Sequence, residues 1–241
     1  FRNLGRSVAE ICRLWKRGGP AVAEIFDYQD GWDRLKDLLS GGRGAVIVTA
    51  HLDNWELVGA CVAAGVPLTV VGRRIYFEKY DRMVAEMRRG LGMEVVYQDE
   101  SPRKLLRAMK DNRVLALLAD QDVPRLDGVF VPFLGRPAYT PTGPVSLAIA
   151  ARAPLAIGYG LRTGRDRHKL VISEPLEFDR SEKRGAVLEG TRLWSSRFEE
   201  IIRQHPEQWV WLHRRWRTRL GDRPEAARRS GYDLQAAEGQ S

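Results

Sequence analysis

The hexapeptide His51-Leu52-Asp53-Asn54-Trp55-Glu56 follows directly on the apolar run Gly44-Ala45-Val46-Ile47-Val48-Thr49-Ala50. That run has the length and β-branched content of a buried strand, so a histidine and a carboxylate stand where a strand gives out. Ligand sites in open α/β sheets lie beyond the carboxyl ends of strands. Histidine titrates near neutrality and can take and return a proton. A carboxylate five residues on, in the opening turn of a helix, can orient the imidazole and stabilise its charged form. The chain has no G-x-S-x-G elbow, and Cys61 lies in an apolar helical run. The pattern therefore favours His51 as base for a substrate hydroxyl, with Glu56 as its partner, over a covalent nucleophile. The same residues also describe a strand end and a capped helix start, with Asp53 or Asn54 at the cap and Glu56 at the positive terminus. Spacing alone leaves both readings open.

Other polar residues stand at comparable places. Gly72-Arg73-Arg74 follows a second apolar run, and Arg88-Arg89-Gly90 ends the helical pattern after it. Guanidinium forks there suit phosphate, and Arg88 and Arg89 equally suit a helix C-terminus. Asp120 and Asp122 follow the run Val114 to Ala119, which brings them to the edge shared by His51 and Arg73. A divalent ion would need a third ligand, and none is evident. Gly128 to Ala138 is expected as a rigid loop whose Phe130 and Phe133 line a groove, although core packing also explains them. Near the end, His213, Arg214, Arg215, Arg217 and Arg219 alternate with Trp209, Trp211 and Trp216. Tryptophan beside arginine suits a membrane interface, and the same interleaving suits single-stranded nucleic acid.

The elements that must position these residues are legible in the periodicity. Strands are predicted near 45–50, 68–71, 94–97, 114–119, 154–161 and 168–172, and helices over 55–64, 77–90, 101–112 and 184–204. Their alternation argues an α/β fold, a mainly parallel sheet with helices on both faces. The stretch 120–144, rich in proline and glycine, is too long for an ordinary connection and is expected to be functional. No linker or repeat divides the chain, so residues 1–221 are expected as one domain and 222–241 as a loose tail.

Composition sets outer bounds. Thirty-nine Lys and Arg against 31 Asp and Glu give a formal charge of +8, which favours anionic partners such as nucleic acid, phosphorylated lipid or an acidic carrier protein. With 44% hydrophobic residues the chain can bury a sizeable core, which excludes intrinsic disorder. Two cysteines, Cys12 and Cys61, exclude a disulfide framework and a cysteine metal site, and fit a reducing compartment. No apolar stretch of about 18 residues is present to span a bilayer. The chain opens on Phe1, as truncation of an upstream anchor or targeting segment would leave it.

Four blocks in order carry a family resemblance. His51-Leu52-Asp53-Asn54-Trp55-Glu56 resembles the H-F-x-N-W-E block of the lipid A late acyltransferases, the lauroyl and myristoyl transferases within the wider H-x4-D/E glycerolipid acyltransferases. Asp120-Gln121-Asp122 resembles that family's D-Q-D element, and Gly128 to Ala138 its G-V-F-V-P-F-F-G-x-x-A block. Pro206-Glu207-Gln208-Trp209-Val210-Trp211-Leu212-His213-Arg214-Arg215-Trp216-Arg217-Thr218-Arg219 is similar to its P-E-Q-W-x-W-x-H-R-R-F-K-T-R signature. The likeness covers about residues 1–221 and departs at Asp53, where glycine is usual. The N-terminal membrane helix typical of the family is not in this sequence, and Phe1-Arg2-Asn3-Leu4 resembles the segment just after it, as either truncation or a soluble paralogue would leave it.

The resemblance implies a glycerolipid-acyltransferase-like fold at the cytoplasmic face of the bacterial inner membrane. It implies transfer of an acyl chain from an acyl carrier protein or acyl-CoA thioester to a hydroxyl of a lipid A precursor, with no metal, cofactor or covalent intermediate. His51 would deprotonate the acceptor and Glu56 would hold its tautomer. Arg73, Arg74, Arg88, Asp120, Asp122, Phe130, Phe133, His213, Arg214 and Arg215 would bind the phosphorylated glycolipid or the donor. The likeness favours a membrane surface over nucleic acid as partner. A lysophospholipid or another glycolipid is the alternative acceptor.

Overall fold

A computed structural model describes residues 2–233. Helices α1 (Arg2–Leu14), α2 (Gly18–Ala23) and α3 (Gln29–Leu39) open the chain, with the short strand β1 (Phe26–Asp27) before α3. The alternation then runs β2 (Ala45–Thr49), α4 (Trp55–Gly65), β3 (Leu68–Gly72), α5 (Glu78–Gly90), β4 (Met93–Tyr97), α6 (Pro102–Lys110) and β5 (Val114–Leu118). A hairpin of β6 (Gly128–Phe133) and β7 (Arg136–Pro141) follows, then α7 (Gly143–Ala151), β8 (Leu155–Gly164), β9 (Arg167–Ile172), α8 (Lys183–Gln204) and α9 (Pro224–Arg229).

The main sheet has the order β1-β9-β8-β2-β5-β3-β4. Its five strands β8, β2, β5, β3 and β4 are parallel, while β9 runs antiparallel to β8 and carries β1 beside it. Strand β2 lies between β8 and β5 and is buried on both faces, as its unbroken apolar sequence requires. Successive side chains point to opposite faces. Ala45 and Ile47 accordingly pack with Leu35 of α3 and with Leu57 and Cys61 of α4. Val46 and Val48 pack with Met109 of α6, Val145 of α7, and Trp194 and Phe198 of α8. Local signals start the helices: the Asn54 side chain accepts from Leu57 N–H to cap α4, and Ser101 with Pro102 opens α6.

Two sequence expectations are corrected. The stretch 120–144 is not a long loop, because its middle forms the β6–β7 hairpin, paired from Gly128–Pro141 to Phe133–Arg136. Leu134 and Gly135 make its two-residue turn, both with positive φ (49° and 79°), as the twist of a tight hairpin demands. A two-stranded ribbon has free outer edges, so Pro132, Pro137 and Pro141 interrupt no further ladder. Nor is the segment from residue 222 to 233 loose. Ala226 and Ala227 of α9 pack on Phe130 and Tyr139 of the hairpin, and Phe130 N–H donates to Ser230 Oγ at 2.8 Å. Residues 234–241 of the expected tail lie outside the described residues.

Candidate active site

Strands β2 and β5 are paired in register from Ala45–Val114 to Thr49–Leu118, so their C-terminal continuations stay side by side. This places His51 against Asp120. The backbone N–H of His51 donates to Asp120 Oδ2 (2.9 Å), and His51 Nδ1 lies 2.8 Å from Oδ1. The indole N–H of Trp209 donates to the same carboxylate at 2.8 Å. Burial by itself would push the Asp120 carboxyl up. The facing imidazole and these N–H donors outweigh burial and hold it below the ordinary carboxylate range. An ionised Asp120 accepts a hydrogen bond from His51 Nδ1–H, which favours the tautomer with an unprotonated Nε2. The amide nitrogen of Gln121 lies 3.3 Å from both ring nitrogens.

The segment that brings Trp209 in is itself tied to the His51 loop. Val210 N–H donates to His51 O and Asp53 N–H to Gln208 O, with a bridge between Leu52 and Trp209. The dyad is therefore assembled by three separated pieces of chain.

Glu56 points elsewhere. Its carboxylate receives the Arg88 guanidinium through two bonds, 2.9 and 2.6 Å, and the Trp55 indole N–H at 3.2 Å. Burial opposes the Arg88 charge and Glu56 more than offsets it. This pair, with Thr49 and Trp55, supplies the polar rim of an otherwise apolar cavity under α4. The lining includes the last residues of the parallel strands, Thr49 and Leu118, and the first, Leu68 and Val114, so the cavity runs along the strands. The Trp55 ring also meets the His51 ring edge-on, with centroids 4.9 Å apart, so the same tryptophan borders dyad and cavity.

On the far side of the loop lies a buried charge cluster. Asp53 has φ 49°, a left-handed conformation that suits glycine best and that aspartate tolerates. Its carboxylate meets His168 Nδ1 (2.5 Å) and the Arg162 guanidinium (3.3 Å), and Arg162 also pairs with Glu10 of α1. His168 Nε2 is 3.6 Å from Glu10, and Asn54 donates to Glu10 at 3.0 Å. Burial works against the imidazolium of His168, but the bonds to Asp53 and Glu10 raise its pKa above the ordinary value.

The sequence profile of the family described as bacterial lipid A biosynthesis acyltransferase matches residues 1–218. The chain belongs to that family, and it is an acyltransferase. It is 31% identical to the phosphatidylinositol mannoside acyltransferase of Mycolicibacterium smegmatis, over 91% of this chain and 74% of that one. Identity to the protein of the same description from Mycobacterium tuberculosis (strain CDC 1551 / Oshkosh) is also 31%, over 95% and 73%. The lipid A biosynthesis palmitoleoyltransferase of Escherichia coli (strain K12) is 24% identical over 91% and 70%.

Set against the acyltransferase expectation, the predicted residues separate into groups. No hydrogen bond joins His51 to Glu56 among the described residues; Asp120, expected to bind substrate, holds the imidazole. The reason is geometric: β5 runs beside β2, whereas Glu56 is carried away on α4 toward α5. Arg88 neutralises Glu56 rather than standing free for phosphate, and Arg74 is held by Asp99 at 3.0 Å over the Tyr97 ring. Arg73 is exposed beyond β3. Asp122 receives the N–H and hydroxyl of Thr218. His213 Nε2 accepts from the Asp122 N–H at 2.8 Å, and burial lowers its pKa. Arg215 is enclosed, bonded to Tyr139 O and Thr140 Oγ1, and burial lowers its pKa to about 10. Phe130 and Phe133 are core residues, 0% and 1% exposed, and neither lines the cavity. Of the final cluster, Trp209 is buried, Trp216 packs on Phe133 and Arg136, and Trp211 and Arg214 are exposed. Sequence reasoning missed Trp209 as donor to Asp120 and missed Glu10, Arg162 and His168 altogether, since each meets its partner only across distant sequence.

Proposed function

We propose that this chain transfers a fatty acyl group from a thioester, acyl carrier protein or CoA, to a hydroxyl of a phosphorylated glycolipid at a membrane surface. The observation that carries the reading is the His51–Asp120 pair opening beside the apolar cavity that Trp55 borders. His51 Nε2 takes the proton of the acceptor hydroxyl as its oxygen attacks the thioester carbonyl. Asp120 offsets the imidazolium charge that results. Collapse of the tetrahedral intermediate breaks the C–S bond, and the imidazolium returns the proton to the leaving thiolate. N–H groups at the start of α4 would meet the oxyanion. The hydrocarbon would lie in the cavity against Val58, Val62 and Leu68, whose apolar lining favours a chain over water. No cofactor enters this scheme, and both Asp120 and Asp122 spend their carboxylates on N–H and O–H donors.

Among glycolipids, the higher identity to phosphatidylinositol mannoside acyltransferases favours a mannosylated phosphoinositide, with a lipid A precursor as the second acceptor. No helix among the described residues is long and apolar enough to cross a membrane. The test is transfer of a labelled acyl group from each thioester to each acceptor in detergent, with mass spectrometry of the products. His51→Ala should lower turnover by about 100-fold or more, and Asp120→Asn by about 100-fold, with folding retained. Near-normal turnover in His51→Ala would remove the dyad from the mechanism.

A further inference from the structure

Arg73 to Tyr80 form an unbroken run of exposed residues between β3 and the first turn of α5. Tyr76 is 94% exposed, Phe77 63%, Tyr80 54% and Met83 51%. Five of the eight exposed large apolar side chains among the described residues fall between Ile75 and Met83. Scattered exposed apolar groups are ordinary, but one concentrated set marks an interaction surface.

The patch is presented on a firm base. Asp81 accepts from Ile75 N–H (2.8 Å) and from the Tyr97 hydroxyl (2.7 Å). Tyr76 meets Phe77, and Phe77 meets Tyr80, as edge-to-face rings 5.1 and 6.2 Å apart. Exposed cations stand in and after this run at Arg73, Lys79, Arg82 and Arg89, of which Arg82 also faces the exposed Glu78 at 3.6 Å. The patch also adjoins the cavity. It begins one residue after Gly72, where an added Cβ would come 3.2 Å from the Arg88 guanidinium that clamps Glu56 at the cavity rim.

We propose that Arg73 to Met83 is a docking surface for an anionic bilayer, its rings entering the headgroup region and its cations meeting lipid phosphates. Rings amphipathic or apolar at the tip with cations around them are the composition that partitions at that depth, and each nearby cation adds attraction to anionic lipid. Rings that stand out as far as Tyr76, 94% exposed, suit insertion among headgroups, and docking of an acidic carrier protein is the outcome that the experiment separates from it. This inference rests on the lipid acceptor of the proposed function and adds where the protein touches the membrane.

The experiment is co-sedimentation of the full chain with vesicles of phosphatidylcholine, with and without phosphatidylglycerol, read without any turnover. Tyr76→Ser/Phe77→Ser should reduce partitioning by about tenfold or more, and Lys79→Glu/Arg82→Glu should abolish the preference for phosphatidylglycerol. Turnover of the Tyr76→Ser/Phe77→Ser variant on detergent-dispersed acceptor should match the unsubstituted chain, which also verifies folding. Unchanged partitioning in both variants would overturn the docking surface. Intact partitioning with turnover lost only on the carrier-protein thioester would reassign the patch to that protein. Absence of acyl transfer by the unsubstituted chain would instead refute the proposed function, leaving the vesicle measurement standing on its own.

Discussion

Replacing Glu10 by Gln should destabilise the fold by about 3–5 kcal/mol, the usual cost of removing one partner from a buried ion pair. Glu10, Asp53, Arg162 and His168 form two negative and two positive groups, all nearly inaccessible to water. Charges 3.3 Å apart attract by about 5 kcal/mol at an effective dielectric of about 20, so no single group can be neutralised cheaply. Glu10→Gln leaves the cluster with an excess positive charge, and His168→Gln leaves an excess negative one. The double substitution restores balance through Asp53 and Arg162. Denaturant unfolding of the four proteins should therefore show the double variant more stable than the sum of the singles predicts, by about 1–3 kcal/mol. Strict additivity would refute a charge-balanced cluster.

The pH dependence follows from the same groups. His168 has a folded pKa raised above its ordinary 6.5, so its contribution is fully present below about 6.5 and is lost as pH rises through the raised value. Glu10 has a folded pKa lowered from 4.5: burial alone would raise it, but His168, Arg162 and Asn54 overcome burial. Its contribution is present above about 4.5 and is lost as pH falls through the lowered value. The cluster should thus stabilise most between about pH 4.5 and 6.5, and His168→Gln should flatten the alkaline decline. A decline unchanged in that variant would assign the effect to another group.

Two further outcomes are expected. Val62→Phe fills the cavity beneath α4, so the preferred thioester donor should become shorter, measured by competition among acyl lengths; unaltered preference would place the hydrocarbon elsewhere. Arg215→Met leaves Tyr139 O and Thr140 Oγ1 without their guanidinium donor, so thermal unfolding should show a loss of about 1–3 kcal/mol. A smaller loss would mean that the hairpin is held mainly by Phe130 and Tyr139 on α9.

The alternation of strands and helices from Ala45 to Lys110, and the placing of His51, Arg73 and Asp120 at one sheet edge, are determined by the sequence alone. Apolar periodicity is a local property, and the ends of parallel strands lie together whatever their spatial order. Helix α7 escaped that reading because Gly143–Ala151 is apolar on every side and shows no helical stripe. The hairpin escaped it because its prolines argue against a strand unless the ribbon has free edges.

Which carboxylate serves His51 was decided only in three dimensions. By spacing, Glu56 is the natural partner and Asp53 the nearer rival, but a strand neighbour is set by sheet order, which periodicity does not encode. Packing β5 beside β2 delivers Asp120 to the ring, α5 claims Glu56 through Arg88, and the β8–β9 hairpin claims Asp53 through Arg162 and His168. Two carboxylates stand near His51 in the sequence, the one that serves it comes from 69 residues away, and the two near ones are drawn off by long-range ion pairs.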